Sequence, residues 1–360
     1  MRMNLIVTAL GAALLVSSGA LAGKFDRKDV GGDAKWVLHI DLEKIRASQI
    51  GDYIVKHSQD GQMADKLKEM TAELGFDPVK ELKAVTAYGK PVAAAPGEKA
   101  AEDMVAVLRG TFDVQKLADS IRRRPGFEAA TYGKHELLKV VPDAQKDPKG
   151  EAAQPGAPAP EPAEPTWVCL SGPGVAVIGG QTVEVLQRAL DVLDGKRENL
   201  MASNTFAHLA DLEKAPLFLA AANLGEMAGV QPEAAMLREA NALSLAVREL
   251  APEGVVDPAA AAAASTLDLL VIVDAKTDEA ALQMKQSLDG IVALVKLNAQ
   301  QQPGLNDLVD KLKSTAQGRE VKITFAYPVK DLLAKIDELK TMGAKMAPPP
   351  DAPDAPPPAQ

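Results

Sequence analysis

Met104 to Leu117 reads MVAVLRGTFDVQKL, and Leu269 to Leu282 reads LLVIVDAKTDEAAL. In each, an apolar run rich in β-branched residues breaks at Gly110 or Ala275. A Thr and an Asp follow (Thr111 and Asp113; Thr277 and Asp278), and a helical pattern begins. This is a strand handing over to a helix whose first turn is capped by a short polar side chain. Two further stretches echo each other in the same way. WVLHIDL, from Trp36, is matched by LFLAAANL, from Leu217, with Phe218 in the place of Trp36, Asn223 of Asp41 and Leu224 of Leu42. VAVIGGQTVEVLQRAL, from Val175, is matched by VKITFAYPVKDLLAKI, from Val321. The three pairs are offset by 182 residues (42 to 224), 165 (113 to 278) and 146 (183 to 329), so each block aligns without a gap and the second copy is the shorter.

Both copies therefore read as an antiparallel sheet with helices on one face, an α+β arrangement of split βαβ, ferredoxin-like character. The first repeat is expected over 35–215 and the second over 216–342. Residues 23–34 read as a flexible lead-in, 91–103 and 142–165 as disordered hairpin tips rich in Pro and Ala, and 343–360 as a Pro/Ala-rich tail. Helix is expected near Ile291 to Thr315, where the first copy has a hairpin.

The chain has 360 residues, 47% apolar and 25% charged, enough for a large core. Residues 1–22 read as a secretory signal: Arg2, an apolar stretch from Leu5 to Val16, then Ala20-Leu21-Ala22 as a small-x-small cleavage site ahead of Gly23. Removing it takes away one charge, Arg2, so the formal charge goes from −9 to −10. An acidic mature chain argues against nucleic acid as a partner, and no membrane-spanning segment is expected after cleavage. Cys169, the single cysteine, alternates with apolar neighbours in WVCL and reads as a buried, inert thiol.

Few residues suggest chemistry. His39, Asp41 and Glu43 form the best polar cluster, because His39 and Asp41 share a strand face where a ligand or a proton transfer could be served. The plainer reading is that Asp41 caps the next helix, and the second copy has Ala221 and Asn223 at the equivalent positions. His135 opens HELLK, which departs from a zinc-protease HExxH at Lys139; no histidine pair has metal-ligand spacing and no cofactor is implied. Gly172-Pro173-Gly174 and Gly179-Gly180 lack phosphate-loop spacing and read as turns. The stripe Leu282, Leu288, Val292 and Val295 could bind a partner helix or lipid, but packing against its own sheet is the default.

The set WVLHIDL, VAVLRGTFDVQKLADSI and VAVIGGQTVEVLQRAL behind a signal peptide resembles a group of uncharacterised bacterial exported proteins with two α+β copies, over about residues 35–340. The group has no assigned activity, so the resemblance implies a location and a fold, without site residues. The sequence is thus read as an exported, periplasmic or extracellular, non-enzymatic envelope protein that binds or scaffolds a protein or small-molecule ligand. Two alternatives are an exported hydrolase with a site assembled from scattered residues, and a carrier of an apolar ligand.

Overall fold

The computed structural model describes residues 23–58, 62–91, 102–141, 165–180, 182–203, 205–206, 208–226, 235–252, 254–299 and 305–346. The expected signal segment, most of both expected hairpin tips and the end of the expected tail lie outside the described residues. The strands are β1 (Trp36–Asp41), β2 (Leu82–Pro91), β3 (Glu102–Gly110), β4 (Glu128–Tyr132), β5 (His135–Val140), β6 (Thr166–Gly172), β7 (Val175–Gly179), β8 (Phe218–Asn223), β9 (Ala240–Leu250), β10 (Thr266–Ala275), β11 (Leu312–Gln317) and β12 (Glu320–Pro328). The helices are α1 (Leu42–Arg46), α2 (Gln49–Ser58), α3 (Gln62–Leu74), α4 (Pro78–Glu81), α5 (Val114–Arg122), α6 (Val183–Leu193), α7 (Leu209–Leu212), α8 (Pro258–Ala263), α9 (Asp278–Ala299), α10 (Leu305–Val309) and α11 (Val329–Met346).

All twelve strands join one antiparallel sheet, in the order β11-β12-β10-β9-β8-β1-β2-β3-β7-β6-β5-β4. At its centre β1 pairs with β8, placing Val37 opposite Ala221 and His39 opposite Leu219. Outward from that pair the order is β1-β2-β3-β7-β6 on one side and β8-β9-β10-β12-β11 on the other. A helix follows β3 and β10, and another follows β7 and β12. The split βαβ unit is plain at the second edge. β10 and β11 are both antiparallel to β12, so they run the same way with α9 and α10 connecting them.

The sequence reading places helices on one face, and here the structure differs. Val105 and Val107 of β3 pack with Leu186 and Leu190 of α6, whereas Leu108 faces the other way, toward Leu117 and Ile121 of α5. The run Met104–Leu108 is continuously apolar instead of alternating, the signature of a strand covered on both sides. α6 and α7 lie on one face; α1, α5 and α9 lie on the other. Among the described residues, Lys313, Thr315, Gln317 and Ala326 on the α6 side of β11 and β12 are exposed.

Residues 23–34, expected as a flexible lead-in, are built into the core. Val30 is fully buried, and Leu200 donates its amide to the Val30 carbonyl at 2.8 Å. Arg109 clamps buried Asp29 with two bonds, Nε to Oδ2 at 2.9 Å and Nη2 to Oδ1 at 2.6 Å. Polar composition concealed this: Lys24, Asp26, Lys28 and Asp33 stay exposed while Asp29 is buried on Arg109. Strand β4, EAATY, was also missed, having almost no apolar alternation; it is held by a hairpin whose Gly133 has φ of 58°. The helix expected through Thr315 ends at Ala299, and β11 occupies 312–317.

Candidate functional site

β1 sends Val37, His39 and Asp41 to the α6 side, all three buried. Both ring nitrogens of His39 are engaged. The Gly23 carbonyl, 3.1 Å from Nε2, can only accept, so Nε2 carries the proton, and Nδ1 accepts from the Thr86 hydroxyl at 2.9 Å. Burial pushes the His39 pKa down to about 4, against a smaller upward pull from the Gly23 carbonyl. Asp41 caps α1, accepting from the Lys44 amide at 2.9 Å and pairing with the Lys44 ammonium at 2.9 Å. Burial raises its pKa in spite of those partners. Glu43 lies outside this arrangement, half-buried, with its ion pair to Lys83 at 3.7 Å. The structure thus joins His39 and Asp41 on one face and turns Glu43 away from them.

His135 is buried beside Asp194, Nε2 to Oδ2 at 3.2 Å, and Lys134 and Lys196 also pair with that carboxylate. These donors, Lys134 first, hold the Asp194 carboxyl well below the usual range. Cys169 lies on the same sheet face, but burial pushes its thiol up to about 11, the opposite of what a nucleophile needs. Among the described residues no three His, Cys, Asp or Glu side chains gather to hold a metal ion.

Two concave places among the described residues bear on ligand binding. A cavity of about 30 Å³ is lined by Tyr88, Asp33, Lys90, Asp103, Arg188 and Arg197, room for about one water. Among the described residues the Tyr88 hydroxyl is buried with no hydrogen-bond partner of good geometry, and burial raises its pKa against a weaker opposite pull from the Gly31 backbone. Replacing Tyr88 with Phe removes that unsatisfied group while keeping the ring. We expect stability unchanged or up by as much as about 1 kcal/mol in urea titration; a loss above that would show a partner bound at the hydroxyl.

The larger groove, about 360 Å³, lies between α9 and the sheet edge. Leu288 and Val292 of α9, Leu312 of β11 and Ile323 of β12 supply an apolar lining, with Asp289 and Ser314 among its polar groups; Lys313 and Thr315 border it with their side chains on the opposite face of the sheet. Ser314 donates to Asp289 Oδ1 at 2.6 Å and Lys285 donates to Asp289 Oδ2 at 2.5 Å, and these bonds, Lys285 first, lower the Asp289 pKa. Ala281, Met284 and Leu288 form the seam of α9 toward the sheet, Leu288 only partly buried. The flank beyond is open: Ile291 is 52% exposed, Leu294 62% and Leu297 65%. Of the expected stripe, Leu288 packs toward the sheet and Val292 lines the groove, while Leu282 and Val295 are exposed. Leu312 was missed because 291–315 was read as helix, although LKSTAQ alternates with the period of a strand. Among the described residues no helix is long and apolar enough to cross a membrane.

No family model matches the chain, and no curated protein matches it in sequence. Among solved structures, crystal form I of TP0453 is similar at 12% identity and a TM-score of 0.37, covering 88% of this chain and 98% of that one. Crystal form IV of TP0453 gives 9% identity and a TM-score of 0.38, covering 89% and 99%. Likeness at this level is too loose to carry a functional argument.

Proposed function

We propose that this is an exported, non-enzymatic protein of the cell envelope, periplasmic or extracellular, which binds a small apolar or amphipathic ligand in the groove between α9 and β11. The leader is removed ahead of Gly23, and the halves of the sheet are divergent copies of one α+β unit. The observation that carries the binding reading is an apolar-lined groove of about 360 Å³, on a helix whose outer side also carries exposed Ile291, Leu294, Val295 and Leu297. Ligand pockets have this size and this mixture of apolar walls with a few polar groups, and large exposed apolar side chains grouped together mark interaction sites. The reading without catalysis is supported by the tied-up state of the groups that could do chemistry: His39 bonded at both nitrogens, Asp41 capping a helix, Cys169 held as a thiol.

The test uses the environment-sensitive dye 1-anilinonaphthalene-8-sulfonate with the mature chain and with Val292→Trp, which fills the groove. Saturable fluorescence in the first, weakened at least tenfold in the second with an unchanged melting temperature, is the expected result. Equal binding by both would remove the groove from the proposal. Native mass spectrometry of protein from its own envelope fraction then identifies the resident ligand's mass.

A further inference from the structure

We propose that Gly23 is a built-in seat for the processed amino terminus, where the α-ammonium released by leader removal pairs with the buried carboxylate of Asp41. This inference rests on the export reading above. Gly23 lies outside any helix or strand, yet it is buried, and its carbonyl accepts from His39 Nε2 at 3.1 Å. The Phe25 ring packs on the His39 ring, centroids 5.4 Å apart, fixing the segment from its other end. A Cβ built on Gly23 would stand 2.6 Å from Asp41 Oδ1, 3.1 Å from Cγ and 3.3 Å from Oδ2. The backbone therefore rests directly on the carboxylate, and a side chain at position 23 would have to push that carboxylate aside. The Gly23 nitrogen and that Cβ share one Cα and are about 2.5 Å apart by tetrahedral geometry, so the nitrogen lies within about 5 Å of Oδ1.

Asp41 has capacity for this third partner. An ionised carboxylate offers about four acceptor sites. The Lys44 amide takes one on Oδ1, and the Lys44 ammonium pairs with Oδ2. The charged groups around the seat are Asp41, Glu43, Lys44 and Arg46, with Lys83 reached through Glu43, and His39 beside it is neutral near pH 7. While the leader is attached, the Gly23 nitrogen is an uncharged amide and the pair cannot form. Peptide hydrolysis between Ala22 and Gly23 consumes one water, leaves the carboxylate on Ala22 and frees the amine, which takes a proton at neutral pH. Leader removal would in this way complete the core at the centre of the sheet, tying full stability to arrival outside the cytoplasm.

The experiment has two arms. In the first, the full chain with its leader is exported from a bacterial host and the intact mass of the product is measured; Gly23–Gln360 is expected. In the second, mature chains beginning at Gly23 and at Ala22 are released from a removable fusion and melted, each also as Asp41→Asn, which can still cap α1. The Gly23 chain is expected to melt roughly 2–6 °C higher. The gap should disappear in Asp41→Asn and shrink above about pH 9, because an amine whose pKa is raised by its partner loses its contribution as pH rises through the folded value. A product beginning at Gly23 combined with equal melting temperatures, or with a gap that survives Asp41→Asn, overturns the seat and leaves export standing. A product that begins elsewhere overturns the cleavage site and the seat together.

Discussion

Gly174→Ala is expected to destabilise the protein by about 3–5 kcal/mol, read as a lowered urea midpoint with unchanged slope. Gly174 turns the chain from β6 into β7 at φ of 65°, a left-handed conformation in which any Cβ crowds the following carbonyl. The neighbourhood makes it worse. An added Cβ would lie 2.0 Å from the Gly110 carbonyl oxygen, a backbone atom that no rotamer change can move. The same junction holds two ladder-closing bonds, Gly110 N–H to Gly174 O and Thr111 N–H to Glu81 O, both 2.8 Å. A Cβ on Gly110 would in turn meet the Glu81 oxygen at 2.3 Å. Three backbone segments, from the ends of β2, β3 and β7, thus meet at van der Waals contact through two glycines. Making room at Gly174 would pull β7 from β3 and α5 from its cap. Gly172→Ala, two residues away with nothing within 4 Å of its Cβ and no positive φ, is the control and should cost under about 1 kcal/mol. Similar losses in both variants would show that the turn tolerates a side chain and that the close approach does not matter.

That junction also shows how far the sequence could be read. MVAVLRGTFD announced a strand, a break and a capped helix, and Asp113 does accept from the Gln115 amide at 2.9 Å. The antiparallel pairing of β2 with β3 and of β5 with β6, across the tips that lie outside the described residues, was also legible, because strand patterns flank both tips directly. The reason for Gly110 was not legible, since it lies in a carbonyl 29 residues earlier. Long-range closeness is likewise what hid the packing of 23–34 and the groove at α9. Of the cluster His39, Asp41 and Glu43, the shared strand face of the first two followed from period-two alternation. Their partners did not: Thr86 comes from β2 and Gly23 from a segment with no pattern at all. Alternation tells which way a side chain points and says nothing of what meets it there.

Between pH 6.5 and 4 the protein is expected to lose about 3 kcal/mol of stability through His39 alone. Its imidazole is fully buried, and burial places its folded pKa at about 4 against an unfolded value near 6.5. A gap of about 2.5 at 1.36 kcal/mol for each pH step gives the magnitude. The sign follows from proton counting. Below pH 6.5 the unfolded chain binds a proton at this ring that the folded chain refuses, so acid favours unfolding until the folded ring also titrates. The contribution is whole above pH 6.5 and gone below about 4. Carboxylates held low by partners, such as Asp289 and Asp307, act in the same direction but over a lower range, since their contribution is lost only as pH falls below the ordinary carboxylate value of 3.8. Asp29 and Asp41, raised by burial, take up protons in the folded chain above that value and oppose the loss, so the part due to the histidine, about 2 kcal/mol between pH 7 and pH 5, is read as the difference between urea titrations of the parent and of His39→Gln. In His39→Gln, whose amide can still donate to the Gly23 carbonyl, that part should largely vanish even if the variant is less stable at pH 7. An unchanged pH slope in His39→Gln, or a His39 ring titrating near 6.5 by NMR, would refute the assignment. The ammonium seated at Gly23 adds a positive charge beside the same ring, so the ring's midpoint should lie lower in the chain beginning at Gly23 than in the one beginning at Ala22. One NMR titration of the two chains thus measures the burial of His39 and the occupancy of the seat together.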